Sequence, residues 1–319
     1  MTRHDRSGNR RAGRVVMRRF SIRRSGEKFI PGRPETAWYR PQRKSNSAMA
    51  HPPLPMVYKW YLSKPFRVYW SMPACTFGGW VSAGRLTEGH AAALIEHFGR
   101  FRDLIWRENP YDPLLRNIAI PDAADDFTQA IDLTAGYEAA KKRSDYAHRR
   151  AVRSALERGV TVSEASNFDQ WKSYFSLYEA SLERWKAAGH LRSRGYSLGL
   201  FRAIFETPAD HRKLWLAQVN GKAVYGTLCF YWNRHAVSWN SAGAAEFFNE
   251  YRPNDLLQDT IIRDAAAAGY EWYDCNPSSG LKGVEEFKEH IGAQKLRSRV
   301  INKRSVLRRA GELLRGMVR

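Results

Sequence analysis

Residues 236–293 read AVSWNSAGAAEFFNEYRPNDLLQDTIIRDAAAAGYEWYDCNPSSGLKGVEEFKEHIGA, and this run constrains the fold more than any other part of the chain. A strand-like stretch ends in a turn of small residues. An Arg-Pro-Asn-Asp step then opens an Ala-rich helix over 254–268, with Asn254 or Asp255 as its N-cap and Gly269 just past its end. An aromatic strand, Glu271 to Cys275, carries Asp274 into a Pro-Ser-Ser-Gly loop, and a short helix over 282–291 stops at Gly292. The pattern predicts a β-α-β unit with polar groups gathered at its open end, where open α/β sheets bind ligands.

The elements before this run predict what the unit is attached to. Leu214 to Val219 and Ala223 to Trp232 alternate as strands, and Asn220-Gly221 between them is a type I′ hairpin signal. Asn233-Arg234 turns the chain into a third strand, His235 to Asn240. Two helices precede this meander, Phe168 to Trp185 and Ser197 to Phe205. Further upstream, 137–158 predicts one strongly basic helix stopped by Gly159, and Val160 to Val162 a short strand. Leu86 to Trp106 has helical spacing, Ala130 to Leu133 reads as a strand, and Phe66 to Ser71 is a strand beside a tight turn at 77–80. After the run, Leu296 to Ile301 alternates again. Residues 305–318 predict an amphipathic helix in which Leu307, Ala310, Leu313, Leu314 and Met317 oppose Arg308, Arg309 and Arg315.

A net charge of +20 resembles a nucleic-acid signature until it is located. Residues 1–50 hold 14 Lys+Arg against 3 Asp+Glu, and residues 295–319 hold 9 against 1. The body between them is nearly neutral. Basic ends attract nucleic acid or anionic membrane but say little about what the body does. Residues 1–50 lack periodicity and are expected to form a disordered basic arm. Cys75, Cys229 and Cys275 are too dispersed for a disulfide framework or a metal site, so a reducing compartment is expected. The nine histidines form no ligand cluster, and no metal is expected. Val68 to Gly84, the longest uncharged stretch, is broken by Pro73, Gly78 and Gly79 and does not read as a membrane span.

Antiparallel strands, a helix, a strand, a helix and a last strand give an α+β layout with one β-α-β crossover, and that order resembles the GNAT acyltransferase core. More specifically, the chain resembles the bacterial FemAB-like and CelD-like proteins, which carry two such domains in tandem. The resemblance rests on SMPACTFGGWVS at 71–82, IDLTAGYEAAKKRSDYAHRRAVRSALERGVTV at 131–162, LYEASLERW at 177–185, RPNDLLQDTIIRDAAAAGYEWYDCNPSSG at 252–280 and GVEEFKEHIGA at 283–293. It covers most of residues 55–300. It implies a mixed, mainly antiparallel sheet with flanking helices in two tandem acyl-CoA N-acyltransferase-like domains. The expected division is a first domain over 51–165, truncated before the SMP segment, and a second over 166–302. A basic amphipathic helix over 303–319 follows.

The same resemblance implies direct attack of an amine on an activated acyl carbon. Such chemistry needs donors for a developing oxyanion, a route for the amine proton and a cradle for the donor's phosphates. Backbone from Trp239 to Gly243 and from Trp272 to Cys275 is expected to supply the donors. The helix start at Asn254 and Asp255, with Arg252 beside it, is the expected phosphate site; the alternative is that Arg-Pro-Asn-Asp is simply a good helix start. Asp274 is expected either to take a proton or orient the amine, or to cap its loop as an Asx-turn. Lys288 of the FK motif is the catalytic candidate by resemblance to the peptidoglycan-bridge members, with a solvated lysine as its alternative. Arg149, Arg184, Trp185, Asn276 and Ser279 are the expected substrate contacts. The implied donor is acyl-CoA, with aminoacyl-tRNA as the rival, and the implied acceptor is an amine on a small or lipid-linked envelope or polysaccharide precursor. A cytoplasmic enzyme is expected, held at the inner membrane surface through its C-terminal helix. Two further readings stay open: a non-catalytic binding module, and a nucleic-acid or membrane-surface protein that works through its basic ends.

Overall fold

The computed structural model describes residues 35–39, 54–60, 67–71, 76–80, 82, 84–189, 195–278 and 280–310. The sheet begins with an antiparallel set, β1 (Glu35–Tyr39), β2 (Leu54–Trp60) and β3 (Arg67–Trp70). Helix α1 (Glu88–Gly99) leads to β4 (Leu104–Arg107), which lies parallel to β3. A single turn, α2 (Pro113–Arg116), precedes the long β5 (Ala123–Asp132). Helices α3 (Gly136–Arg143) and α4 (Tyr146–Glu157) then lead to β6 (Thr161–Glu164). Helices α5 (Phe168–Ala187) and α6 (Leu198–Phe205) precede the meander β7 (Arg212–Val219), β8 (Lys222–Trp232) and β9 (His235–Gly243). The crossover follows as α7 (Phe248–Tyr251), α8 (Pro253–Ala267), β10 (Trp272–Asp274), α9 (Lys282–His290) and β11 (Gln294–Lys303).

These eleven strands form one sheet in the order β1-β2-β3-β4-β11-β5-β10-β9-β8-β7-β6. The last strand enters the first half, between β4 and β5, and is antiparallel to both. On its other side β5 pairs antiparallel with β10. The two halves expected from the sequence therefore share one sheet, and the described residues lie in one unit spanning 34–319. The centre of β5 explains its central place: Thr128, Gln129, Ala130 and Ile131 are all buried. At the same junction, Arg299 of β11 grips the buried Glu108 with two bonds of 2.7 and 2.6 Å.

Alternation along β7 sorts its side chains to opposite faces. Trp215, Ala217 and Val219 join the core under α3, α4 and α8. Leu214 and Leu216 join Trp171, Tyr174 and Phe201 under α5 and α6. Burying a side chain such as Phe201 contributes about 3 kcal/mol. A third core around Trp106, Leu104 and Phe98 belongs to the first half.

Several sequence expectations change. The helix expected over Leu86 to Trp106 stops at Gly99, because Leu104 and Trp106 alternate into the core as β4. No turn forms at 77–80; the Gly78 N–H instead bonds the Arg107 carbonyl at 2.8 Å. The single basic helix is two helices, because the Asp145 side chain accepts from the His148 N–H at 2.6 Å and caps a new helix. Within the stretch expected to be disordered, Glu35–Tyr39 pairs with β2; its Thr, Trp and Tyr favour strand. The hairpin signal holds, with positive φ at both Asn220 and Gly221. Residues 306–310 are helical, but Leu307 and Val306 are exposed while Arg308 is buried beside Asp103. The expected apolar face is thus turned outward there, since Arg308 anchors that turn; Leu313, Leu314, Arg315 and Met317 lie outside the described residues. Cys75 does also. Among the described residues no helix is long and apolar enough to cross a membrane.

Candidate active site

Strands β9 and β10 pair in parallel only from His235 to Val237 and from Trp272 to Asp274. Beyond those residues they part. Asn276, held in the left-handed region at φ 58°, closes the apex by donating from Nδ2 to the Ser238 carbonyl at 2.5 Å. On its other edge β9 bulges. Ser238 faces Cys229 and Asn240 faces Leu228, which leaves Trp239 as the extra residue. Bulges beside functional sites re-aim a side chain and free a peptide group from the ladder.

A cavity of ≈ 400 Å³ fills the gap between the parted strands. Ser238 to Gly243 form one wall, and Cys275, Asn276 and Pro277 the other. Helix α9 adds Val284, Phe287 and Lys288, α8 adds Asn254 and Gln258, and α5 closes the space with Arg184 and Trp185. Tyr225 and Phe248 make the wall more aromatic. The small size of Gly243 is required here: a Cβ would lie 2.2 Å from Tyr225 Cδ2.

Lys288 reaches the cavity and is held there by a hydrogen-bonded network. Its Nζ donates to the Asn276 carbonyl at 2.7 Å and to Ser278 Oγ at 3.0 Å. Ser278 Oγ donates to Gln129 Oε1 at 2.7 Å, and Gln129 Nε2 donates to the Glu285 carbonyl of α9 at 3.0 Å. The helix, the loop and β5 of the first half are thereby tied together, and Lys288 is buried rather than solvated. Asn276 Oδ1 is buried and has no hydrogen-bond partner. A buried orphan acceptor next to a cavity is a site for an incoming N–H or O–H.

Asp274 is fully buried but does not line the cavity. Its carboxylate accepts from Tyr111 Oη at 2.6 Å, Thr128 Oγ1 at 2.8 Å and the Asn276 N–H at 2.6 Å. The last of these bonds is the Asx-turn, so of the two readings the geometry takes the capping one. Burial pushes the carboxyl above its ordinary value, while these three bonds and the Lys288 charge pull it back. Cys275 lines the cavity, but burial, aided by Asp274, pushes its thiol up to about 12 against the opposing pull of Lys288. It is a neutral wall group and no nucleophile at neutral pH.

The remaining expected residues divide. Trp239, Gly243, Asn254, Arg184, Trp185, Asn276 and Lys288 come together around the cavity. Arg252, Asp255 and Arg149 do not line it. Neither Asn254 nor Asp255 is the N-cap of α8: that position belongs to Arg252, at φ 52°, with Pro253 as the first helical residue. Asp255 is buried under the helix start, accepting from Arg252 Nε at 3.0 Å and sitting 3.0 Å from His148 Nδ1 of α4. The first turn of α8 thus already carries a carboxylate, so Asp255 serves the helix rather than a phosphate. Arg149 donates to the Ser144 carbonyl and braces the junction of α3 and α4. Ser279 lies outside the described residues. Sequence reasoning missed Tyr225, Gln258, Tyr111 and Thr128. Tyr225 alternates with the inward residues of β8, a signal that was present. Tyr111 and Thr128 meet Asp274 across 163 and 146 residues, which no local pattern encodes. Among the described residues no group of His, Cys, Asp and Glu is arranged to hold a metal ion.

A family model described as an acetyltransferase (GNAT) domain matches residues 119–289. Among solved structures, FemX is similar with a TM-score of 0.58 at 13% identity, over 83% of this chain and 88% of that chain. The C-terminal DUF2156 domain of a putative lysylphosphatidylglycerol synthetase from Agrobacterium fabrum gives 0.52 at 14%, over 78% and 81%. L-PGS from Bacillus licheniformis gives 0.50 at 12%, over 81% and 86%. At these identities the likeness is one of fold. No curated protein matches the sequence.

Proposed function

The chain belongs to the acetyltransferase (GNAT) domain family and is an acyltransferase, and on that premise we propose that it transfers an acyl group from acyl-CoA to an amine of a cell-envelope or polysaccharide precursor. The observation that carries this reading is the parting of β9 and β10 around a cavity that holds the Trp239 bulge, Asn276 and Lys288.

In this reading the thioester lies along β9 with its carbonyl oxygen toward the peptide N–H groups around Trp239. The amine nitrogen attacks the acyl carbon, the C–N bond forms, and the C–S bond breaks. Asn276 Oδ1 accepts an N–H of the amine and orients its lone pair. No carboxylate or imidazole lines the cavity among the described residues. The amine therefore enters neutral, favoured by the positive charges of Arg184 and Lys288, which lower the pKa of a nearby ammonium. The proton released on attack leaves with the thiolate or to water. Arg252 is 44% exposed at the α8 start and, with Asn254, is the candidate contact for the donor's phosphates.

One observation favours a rival donor, aminoacyl-tRNA. Lys141, Lys142 and Arg143 at the end of α3, Arg150 and Arg153 on α4 and Arg158 just past it are all exposed, and exposed cations of this kind attract a phosphate backbone. The cellular place of the reaction, in the cytoplasm and beside the inner membrane, is part of the same proposal and follows from the acceptor class.

The test is thermal-shift titration with acetyl-CoA and longer acyl-CoAs, followed by thiol release in the presence of amines. A donor that binds only the folded state at 100 times its dissociation constant adds about 2.7 kcal/mol of stability. A shift reduced in Arg252→Ala and thiol release lowered about 100-fold in Lys288→Met support the reading. A folded protein that neither shifts nor releases thiol overturns the acyl-CoA donor.

A further inference from the structure

We propose that the chain carries a saccharide-binding site at the end of β9 far from the acyl cavity, with Trp232 as the platform on which an uncharged sugar ring stacks. The site goes beyond the acyl-transfer reading and does not depend on it.

A second cavity, of ≈ 450 Å³, lies where β8 turns into β9. Asp210, His211, Trp232, Asn233 and Tyr270 line it, and Ser82 of the first half adds a hydroxyl. His235, which pairs with Trp232, lies six residues before Ser241 of the acyl cavity. At about 3.4 Å per residue the two sites are about 20 Å apart along the strand.

Trp232 is 67% exposed. A lone exposed aromatic residue signifies little, but this one is braced and has polar neighbours. Its ring meets that of His211 at 63°, with centroids 4.7 Å apart. The exposed Asp210 carboxylate lies 3.9 Å from His211 Nε2, too far for a hydrogen bond. Its oxygens are therefore placed to accept from incoming hydroxyls. Asn233 turns the chain at φ 54° and is exposed, and its amide both donates and accepts.

The lining selects the ligand class. A sugar ring has an apolar C–H face and a rim of hydroxyls that donate and accept. A flat aromatic face beside a carboxylate and an amide matches both parts. A purely apolar ligand would cover Asp210 and Asn233 without giving them partners, which is costly. An anion would meet the Asp210 charge. An organic ammonium ion is held best by several open rings. Here Tyr231 is 1% exposed, accepts from Trp215 Nε1 at 3.0 Å and packs against Tyr270 with centroids 5.3 Å apart. That pair closes the back of the cavity and leaves Trp232 as an open platform, not one wall of a cage.

The test is titration of the full chain, with no acyl donor present, by cellotetraose, by tetra-N-acetylchitotetraose and by choline, read by calorimetry and ligand-detected NMR. At least one oligosaccharide is expected to bind and choline is not. Trp232→Ala is expected to weaken the oligosaccharide at least about tenfold, and Trp232→Phe to keep part of the affinity. Asp210→Asn is expected to weaken binding while the platform stays intact. Both positions are exposed, so circular dichroism and Tm are expected to stay at parent values. Three results overturn the proposal: neither oligosaccharide binds, an oligosaccharide binds equally well to Trp232→Ala, or choline binds and the oligosaccharides do not.

Discussion

The Tyr111 hydroxyl donates to Asp274 Oδ2 at 2.6 Å and so joins the first half of the chain to the strand that edges the cavity. Burial raises the Asp274 carboxyl above its ordinary value of 3.8. Between the unfolded and folded values the native state therefore holds the extra proton. The group's favourable contribution is full below the ordinary value and is lost as pH rises through the folded one. Tyr111→Phe removes a bond that favours the charged form and raises the folded value further. The expected result is a loss of about 1–3 kcal/mol at neutral pH, with a smaller deficit near the ordinary carboxyl value. Urea unfolding at the two pH values checks this, and an equal deficit at both would contradict it.

Lys288→Met keeps the buried stem but removes the donor to the Asn276 carbonyl and Ser278 Oγ. The loop that presents Asn276 loses its anchor and the cavity loses a charge. A drop in kcat/KM of about 100-fold is expected, with circular dichroism unchanged. A variant within about threefold of the parent would reduce Lys288 to a structural brace.

Gly243→Ala places a methyl 2.2 Å from Tyr225 Cδ2 and 3.0 Å from Phe248 Cε1. Tyr225 must move, and it lines the cavity. Overpacking of this kind costs about 1–3 kcal/mol, and donor affinity is expected to fall with it. Adding Tyr225→Leu makes room and is expected to restore part of the stability. If the double variant is no better than the single one, the clash is not the cause.

Glu108→Gln leaves the Arg299 guanidinium without its bidentate carboxylate in a site where Glu108 is 4% exposed. Removing one partner of a buried pair costs about 3–5 kcal/mol. Because β11 passes between β4 and β5, both halves are expected to unfold together, in one transition rather than two. Calorimetry reads this directly: two separated transitions would show that the shared sheet does not couple the halves.

Much of the second half was legible from local patterns. The meander, its Asn220-Gly221 hairpin and the crossover around α8 follow from alternation, turn chemistry and helical spacing. Those signals act between residues a few positions apart. Where two local signals competed, the reading slipped. Helical spacing from Leu94 to Phe101 concealed the alternation of β4, and continuous basic character concealed the Asp145 cap. At the candidate site, the cluster of Trp239, Gly243, Asn276 and Lys288 was legible because one β-α-β unit and its flanking helix carry all four.

Sequence by itself determined that a β-α-β unit with a polar open end would exist, since hydrophobic period and capping act locally. Only the tertiary structure decided which polar groups face the cavity. Asp274 and Asp255 sit as close in sequence to the site as Asn276 and Asn254 do. Yet Tyr111, Thr128, His148 and Arg252 draw both carboxylates behind the wall. Burying an unpaired charge is costly, so the partners that long-range packing supplied fixed where each carboxylate went. The result is a cavity lined by two cations and no acid among the described residues.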